Sequence, residues 1–414
     1  MNFIELRVSK PIINALEDID IVYPTLIQEK CFRKIAAGKD VVGISQTGSG
    51  KTFAYLLPIL DRLEFSSQKQ PRVLIIVPTR ELVIQVVEEI EKLAKYKNIV
   101  VKAVFGGANI NTQKNYVFSG QTDIIVGTPG RLFDIAVSGI LKLSKVKKIV
   151  IDEFDEMLNL GFRPQIEQIL EMITQNKQNI LFSATMSENV ENFIEKYFFN
   201  VEKIIIEKNS APLEKIKQIH IPVANFNTKI NVLKYLLENN ENFTKNLVFV
   251  STKKQADYIF EKLSPFFENK LAVIHSNKSQ NLRFNTIRNF KKGKITTLIA
   301  TDIVAKGLDF ENISHVINIS MPEIPLDYIH RIGRTARAEN YGTAILLHSP
   351  FEEKMYNEIL KLIGNNFSTE TITNIEISKQ LMEDEKPVVK QKIYLKTPDI
   401  RKSGGAFHEK KTKR

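Results

Sequence analysis

The sequence predicts an α/β fold: two mostly parallel sheets in tandem, each flanked by helices, then a basic C-terminal tail. Three observations predict it. Short β-branched apolar runs alternate with amphipathic stretches, which places helices on both faces of a parallel sheet. The runs are continuously apolar, as strands buried on both faces require. The 414 residues suffice for two domains of ordinary size.

In the first half the strands are expected at Asp40–Ile44, Val73–Val77, Ile124–Val126, Lys148–Ile151 and Ile180–Phe182. Helical patterns between them include Phe53–Leu60, Glu81–Lys95 and Pro164–Ile173. The alternation weakens from Glu207 to Gln218, where Lys208-Asn209-Ser210-Ala211-Pro212 carries loop residues and a proline. A first domain is therefore expected at 1–207 and a linker at 208–218. Strand runs restart at Leu247–Val250, Leu271–Ile274, Thr297–Ala300, His315–Ile319 and Ala344–Leu347, which gives a second domain at 219–364. Periodicity then fades. Residues 365–414 read as a basic, disordered tail, with a short helix near Ser378–Glu383.

Composition narrows the function classes. The one cysteine, Cys31, rules out an intramolecular disulfide and a four-cysteine zinc site. No apolar run approaches the roughly 18 residues of a membrane helix. Glu5 and Arg7 interrupt the opening apolar stretch, unlike a secretory signal. A reducing, cytoplasmic setting is expected. The net charge is +11, but Lys386 to Arg414 holds ten basic and two acidic residues, leaving the body near +3. Composition alone leaves two readings of the tail open: a polyanion-binding arm, or a solvated end that aids solubility.

The strongest local signal is Ser45-Gln46-Thr47-Gly48-Ser49-Gly50-Lys51-Thr52, between a strand and a helix. That context suits a phosphate-binding loop. Gly48 and Gly50 can take φ angles closed to other residues, and the helix N-terminus adds positive potential. Lys51 can reach β- and γ-phosphates, and Thr52 can hold magnesium. Ser45 stands where such loops usually have a first glycine. A second constellation, Asp152-Glu153-Phe154-Asp155, follows a buried strand at the ligand-binding edge of a parallel sheet. Asp152 could orient Mg2+, and Glu153 could polarise an attacking water. Read alone, an acidic helix start explains the pattern equally well. A third, Tyr328-Ile329-His330-Arg331-Ile332-Gly333-Arg334-Thr335-Ala336-Arg337, groups guanidiniums that a second domain could bring to a γ-phosphate.

Together and in this order, the motifs resemble the DEAD-box RNA helicases, over roughly Phe3 to Thr343. The resemblance implies two tandem RecA-like domains that hydrolyse ATP with Mg2+ and remodel RNA. Thr47, Gly48, Ser49, Gly50, Lys51 and Thr52 would cradle the phosphates, with Thr52 and Asp152 as metal ligands. Gln28, in Tyr23-Pro24-Thr25-Leu26-Ile27-Gln28, would read adenine, with Phe3 as the isolated upstream aromatic. Asp309 would contact the nucleotide sugar. Lys51, Asp152, Glu153, Arg334 and Arg337 would be catalytic, the two arginines as fingers. Asp155, Ser183, Thr185, His330 and Arg331 would couple hydrolysis to strand separation and to domain closure.

The RNA-contact motifs of the family match Pro78, Thr79, Arg80, Gly106, Gly107, Thr128, Pro129, Gly130 and Arg131 in the first half. In the second half they match Thr252, Gln280, Arg283, Thr301 and Asp302. Such contacts would hold single strands and short duplexes by their phosphates, independent of sequence. Each short motif alone is equally well a turn or a helix start, with Thr79 as a cap. The family resemblance further implies a cytoplasmic monomer with no membrane association, working with ribosome-assembly or RNA-decay proteins. An ATPase-dead RNA clamp and a DNA translocase are the competing readings.

Several positions depart from the family pattern. Asp20 and Ile21 replace a glycine and an aromatic near Gln28. Phe154 replaces the family's alanine and is expected to need small or displaced neighbours. Lys306 replaces an arginine, exchanging a fork for a point charge. Ala336 replaces a glycine and is expected to stiffen its turn.

Overall fold

The computed structural model describes residues 2–46, 48–206, 215–302, 310, 312–336, 341–364, 367–373, 375–382 and 385. The first sheet contains β1 (Val41–Ile44), β2 (Val73–Ile76), β3 (Val101–Val104), β4 (Ile124–Gly127), β5 (Lys148–Ile151), β6 (Gln178–Ser183) and β7 (Glu202–Ile205). Its order is β3-β4-β2-β5-β6-β1-β7, and every pairing is parallel. The helices are α1 (Lys10–Glu17), α2 (Leu26–Ala36), α3 (Lys51–Arg62), α4 (Arg80–Leu93), α5 (Ile110–Phe118), α6 (Pro129–Val137), α7 (Phe154–Asn159), α8 (Arg163–Met172) and α9 (Glu188–Tyr197).

The second sheet contains β8 (Ile216–Pro222), β9 (Asn246–Val250), β10 (Leu271–Ile274), β11 (Thr297–Thr301), β12 (His315–Asn318), β13 (Gly342–His348) and β14 (Ser368–Thr369). Its order, β10-β11-β9-β12-β13-β8-β14, is again wholly parallel. Its helices are α10 (Phe226–Glu238), α11 (Lys253–Phe267), α12 (Gln280–Lys291), α13 (Pro325–Ile332) and α14 (Glu353–Ile363).

Each sheet separates two cores, which explains the continuous apolar runs. Val73 and Ile75 pack into one core of the first domain; Leu74 and Ile76 pack into the other. In the second domain Leu247 and Phe249 face one core, Val248 and Val250 the other. Alternate residues thus bury on opposite faces, so both must be apolar.

Three departures from the sequence reading stand out. Strand β8 begins at Ile216, inside the stretch expected to be a linker; residues 207–214 lie outside the described part. Residues 378–382 are not helical, although a short helix was expected at Ser378–Glu383. They pack on α10 instead. Asn225 Nδ2 donates to Ser378 O at 2.7 Å, and Asn227 Nδ2 to Gln380 O at 2.8 Å. Glu385 accepts from Phe226 N at 2.7 Å, so its carboxylate caps the α10 N-terminus. The second domain therefore reaches into the range read as tail. Residues 386–414 lie outside the described residues.

Candidate nucleotide and RNA site

In a parallel sheet all strand carboxyl ends share one edge, where the following helices present their N-termini. The phosphate-loop segment leaves β1 at that edge. Gly48 and Gly50 take φ of 83° and 89°, as a glycine loop requires. A side chain at Gly50 would also collide with Gln28. Gln28 Nε2 donates to Gly50 O at 3.1 Å, and its Oε1 accepts from Thr25 N at 3.0 Å. The base-reading candidate is thus bonded to the phosphate loop. The Ser45 hydroxyl bonds Ser49 Oγ at 2.8 Å. Lys51 is buried, and its Nζ donates to Ser45 O at 3.0 Å.

Strand β5 delivers Asp152 and Glu153 beside that loop. Asp152 is 2% exposed and accepts from Glu153 N at 2.9 Å. Glu153 sits in the left-handed region, φ 52°, as the residue that caps α7. Such strain concentrates at functional sites. Burial raises the pKa of both carboxyls, and the Lys51 charge opposes it. Arg334, which follows α13 in the second domain, also opposes the shift at Glu153. That guanidinium is buried, and burial lowers its pKa while Glu153 and Glu156 hold its charge. The two domains therefore meet here, with an arginine of one beside the carboxylates of the other.

A divalent cation fits this corner only if phosphate shares its shell. Among the described residues no cluster of three His, Cys, Asp or Glu could hold a metal. Asp152 and Thr52 offer oxygen donors, the ligand type that magnesium takes with waters and phosphates. One turn after Thr52, the Tyr55 hydroxyl is buried and meets no partner in good hydrogen-bond geometry among the described residues.

Asp155 joins this centre to the end of β6. Its Oδ2 accepts from Thr185 Oγ1 at 2.9 Å and from Ala184 N at 3.2 Å. Ser183 Oγ donates to Thr185 O at 2.8 Å and closes the turn. Phe154 points away, wholly buried and tilted against Phe193 at 4.3 Å. Its described ring partner is a large aromatic, so of the small or displaced neighbours expected, Phe193 is not a small one.

A second cavity, about 410 Å³, lies between the domains. Pro78, Thr79, Arg80, Thr128, Gly130, Arg131 and Arg283 line it. Thr79 caps α4, accepting from Leu82 N at 3.3 Å, so the cap reading holds as well. Gly107, φ 82°, leaves the space that the Arg80 guanidinium fills. Arg80 Nη1 crosses to Gln280 Oε1 at 2.9 Å, and Arg283 pairs with Glu81. Phe105 meets Phe284 edge-on at 6.3 Å. Arg131 is held by Gln113 at 2.7 Å.

Five residues, Asp302, Arg331, Phe3, His330 and Ala336, have surroundings that the sequence reading did not anticipate. Asp302 does not present its carboxylate to this cavity. Arg331 clasps it with two bonds of 2.6 Å and also reaches Asn318 and Ser320 O. Arg331, 1% exposed, is an internal staple of the second domain. Phe3 packs in the first core with Ile21 against it. His330 pairs with Asp327 on its own helix at 3.3 Å. Ala336 has φ 54°, so the alanine expected to stiffen this turn also strains it. Asp20 has φ 57°, a conformation that aspartate tolerates better than most residues, which accounts for a glycine at that place elsewhere. Thr252 caps α11, and Thr301 ends β11. Thr47, Lys306, Asp309 and Arg337 lie outside the described residues. Sequence reasoning missed Tyr55, Glu81 and Gln113; spacing from Thr52 and position within Pro-Thr-Arg-Glu-Leu were the available signals for the first two.

A phosphate loop, paired acids and an arginine from a second parallel-sheet domain define a two-domain P-loop nucleotide hydrolase. The DEAD/DEAH box helicase family matches residues 25–193, and the helicase conserved C-terminal domain matches residues 228–339. The chain belongs to the DEAD-box helicase family. It is 36% identical to the DEAD-box ATP-dependent RNA helicase CshA of Bacillus cereus, over 86% of this chain and 67% of that protein. It is 36% identical to the ATP-dependent RNA helicase DbpA of Bacillus subtilis, over 88% of this chain and 75% of that one. Saccharomyces cerevisiae Dbp5 bound to RNA and ADP BeF3 is similar in structure, with a TM-score of 0.80 at 27% identity, covering 89% of this chain and 95% of Dbp5.

Proposed function

We propose that this chain couples RNA-stimulated ATP hydrolysis to local RNA duplex unwinding or RNA–protein remodelling. One observation carries the reading: Arg334 of the second domain, buried, acts electrostatically on Glu153 of the first, which also feels the phosphate-loop Lys51. In this reading Gln28 selects adenine, and its bond to Gly50 passes base recognition to the loop. Loop N–H groups and the α3 N-terminus bind the phosphates, and Lys51 exchanges Ser45 O for a phosphate oxygen. Thr52 and Asp152 hold Mg2+, which when bound neutralises phosphate charge. Glu153 accepts the proton of the attacking water. Its raised pKa makes it a stronger base, and Lys51 and Arg334 favour its ionised form. Arg334 stabilises charge developing on the transferred phosphoryl group. Arg337 as a second finger, and Asp309 and Thr47 on the nucleotide, extend the same reading.

The bonds of Asp155 to Ala184 and Thr185 give hydrolysis a mechanical route to the RNA face. RNA phosphates bind in the cavity lined by Thr79, Arg80, Thr128, Gly130, Arg131 and Arg283, where no base edge is read. Pro78 and Gly106 also line it, Gly107 and Gln280 hold Arg80 at its wall, and RNA contacts by Pro129, Thr252 and Thr301 extend the same reading. Arg331 acts by fixing Asp302 and the motif around it. The first domain spans 1–207, and the second begins with β8 at Ile216, which shortens the linker expected at 208–218, and extends beyond 364 to 385. Family resemblance supports a cytoplasmic monomer that works with ribosome-assembly or RNA-decay proteins. The test is ATPase rate against added RNA, with DNA of matched sequence as control. RNA should stimulate and DNA should not; equal stimulation would reject RNA as the substrate.

A further inference from the structure

We propose that Tyr55 is a positioning residue for the metal-binding carboxylate Asp152, acting through its phenolic O–H; this rests on the nucleotide-site reading above. Tyr55 lies three residues after Thr52 on α3, so both side chains share one helix face. Its ring is fixed. It is 0% exposed and packs against Phe182 of β6 at 5.6 Å between centroids. Phe182 in turn occupies the space beside Gly43 of β1, where any side chain would collide with its ring.

The ring leaves the hydroxyl no route to solvent. The oxygen is buried and, among the described residues, meets no partner in good hydrogen-bond geometry, although Asp152 and Thr52 lie close enough to act on it. An unsatisfied buried hydroxyl is a penalty that phenylalanine, with the same ring, would avoid. Its surroundings supply the reason for keeping it. Asp152, Thr52 and Glu153 are the polar groups that act on the phenol. Asp152 already uses Oδ1 for Glu153 N at 2.9 Å. The phenol is a side-chain donor that acts on that carboxylate, whose charge it favours. Once a hydrated cation occupies the corner, the same O–H satisfies itself on Asp152 or on a cation-bound water. The Asp152 carboxylate is then held in one orientation toward the bound cation.

Tyr55→Phe in the full chain removes only the oxygen. Binding of a fluorescent ADP analogue is measured against Mg2+ and again in EDTA, with Tm recorded alongside. The expected result is a Mg2+ midpoint raised about fivefold, unchanged affinity in EDTA and no loss of Tm. An unchanged midpoint overturns the proposal, as does an equal loss of affinity with and without Mg2+, which would mark a purely structural role. If wild-type affinity ignores Mg2+, the underlying site reading fails and takes this proposal with it.

Discussion

Glu81→Gln should weaken domain closure by roughly thirtyfold. Glu81 and Arg283 pair across the domain boundary with side chains 2% and 7% exposed. Burial lowers the pKa of Arg283, and Glu81 is the charge that opposes it. Two unit charges about 4 Å apart attract by about 4 kcal/mol at an effective dielectric of 20. Losing one partner of such a pair costs about 2–5 kcal/mol, much of it from stranding the other charge. Glutamine keeps a hydrogen-bond acceptor, so the low end, about 2 kcal/mol, applies; that is roughly thirtyfold at 1.36 kcal/mol per decade. The assay is the RNA concentration giving half-maximal ATPase. It should rise by that factor, while ADP affinity without RNA stays as in wild type. Arg283→Gln on the Glu81→Gln background should cost less than the two single effects combined. A shift under about threefold, or strict additivity, would refute the latch argument.

Three further outcomes follow from the same geometry. Lys51→Ala should abolish nucleotide binding, measured with fluorescent ADP; full RNA-stimulated ATPase would reject the loop assignment. Ala336→Gly should relieve a left-handed backbone worth about 1 kcal/mol and raise the second-domain Tm by about 2–4 °C; a lowered Tm would contradict the strain. Deleting residues 386–414 should weaken RNA affinity and flatten its salt dependence while leaving the ATPase maximum intact; an unchanged salt slope returns that segment to a solubility role.

Much of this was legible because buried parallel strands announce themselves. Val73–Ile76 and Leu247–Val250 serve two cores each, so their apolar character is unbroken. β3 and β7 were not foreseen. They form the two edges of the first sheet, and Lys102 and Glu202 interrupt their apolar character. Segment 375–382 was missed for a different reason: backbone groups meeting Asn225, Asn227 and Thr228 hold it, and such bonds leave no hydrophobic period. Short motifs singled out the glycine loop and the acids, which the fold brings to one sheet edge. They could not tell that Asp302 is spent on Arg331, because a charge in a motif does not disclose its partner. Glu81 and Tyr55 offered only motif position and spacing as signals, since their significance lies in what burial places against them.

The central claim is that a guanidinium from the second half completes a hydrolytic site built in the first. Arg334→Ala tests it most directly, with RNA-saturated ATP turnover measured beside ATP and RNA binding. The account predicts a fall in turnover of about 10³-fold or more, with both ligands still bound. Near-wild-type turnover in that variant would contradict it.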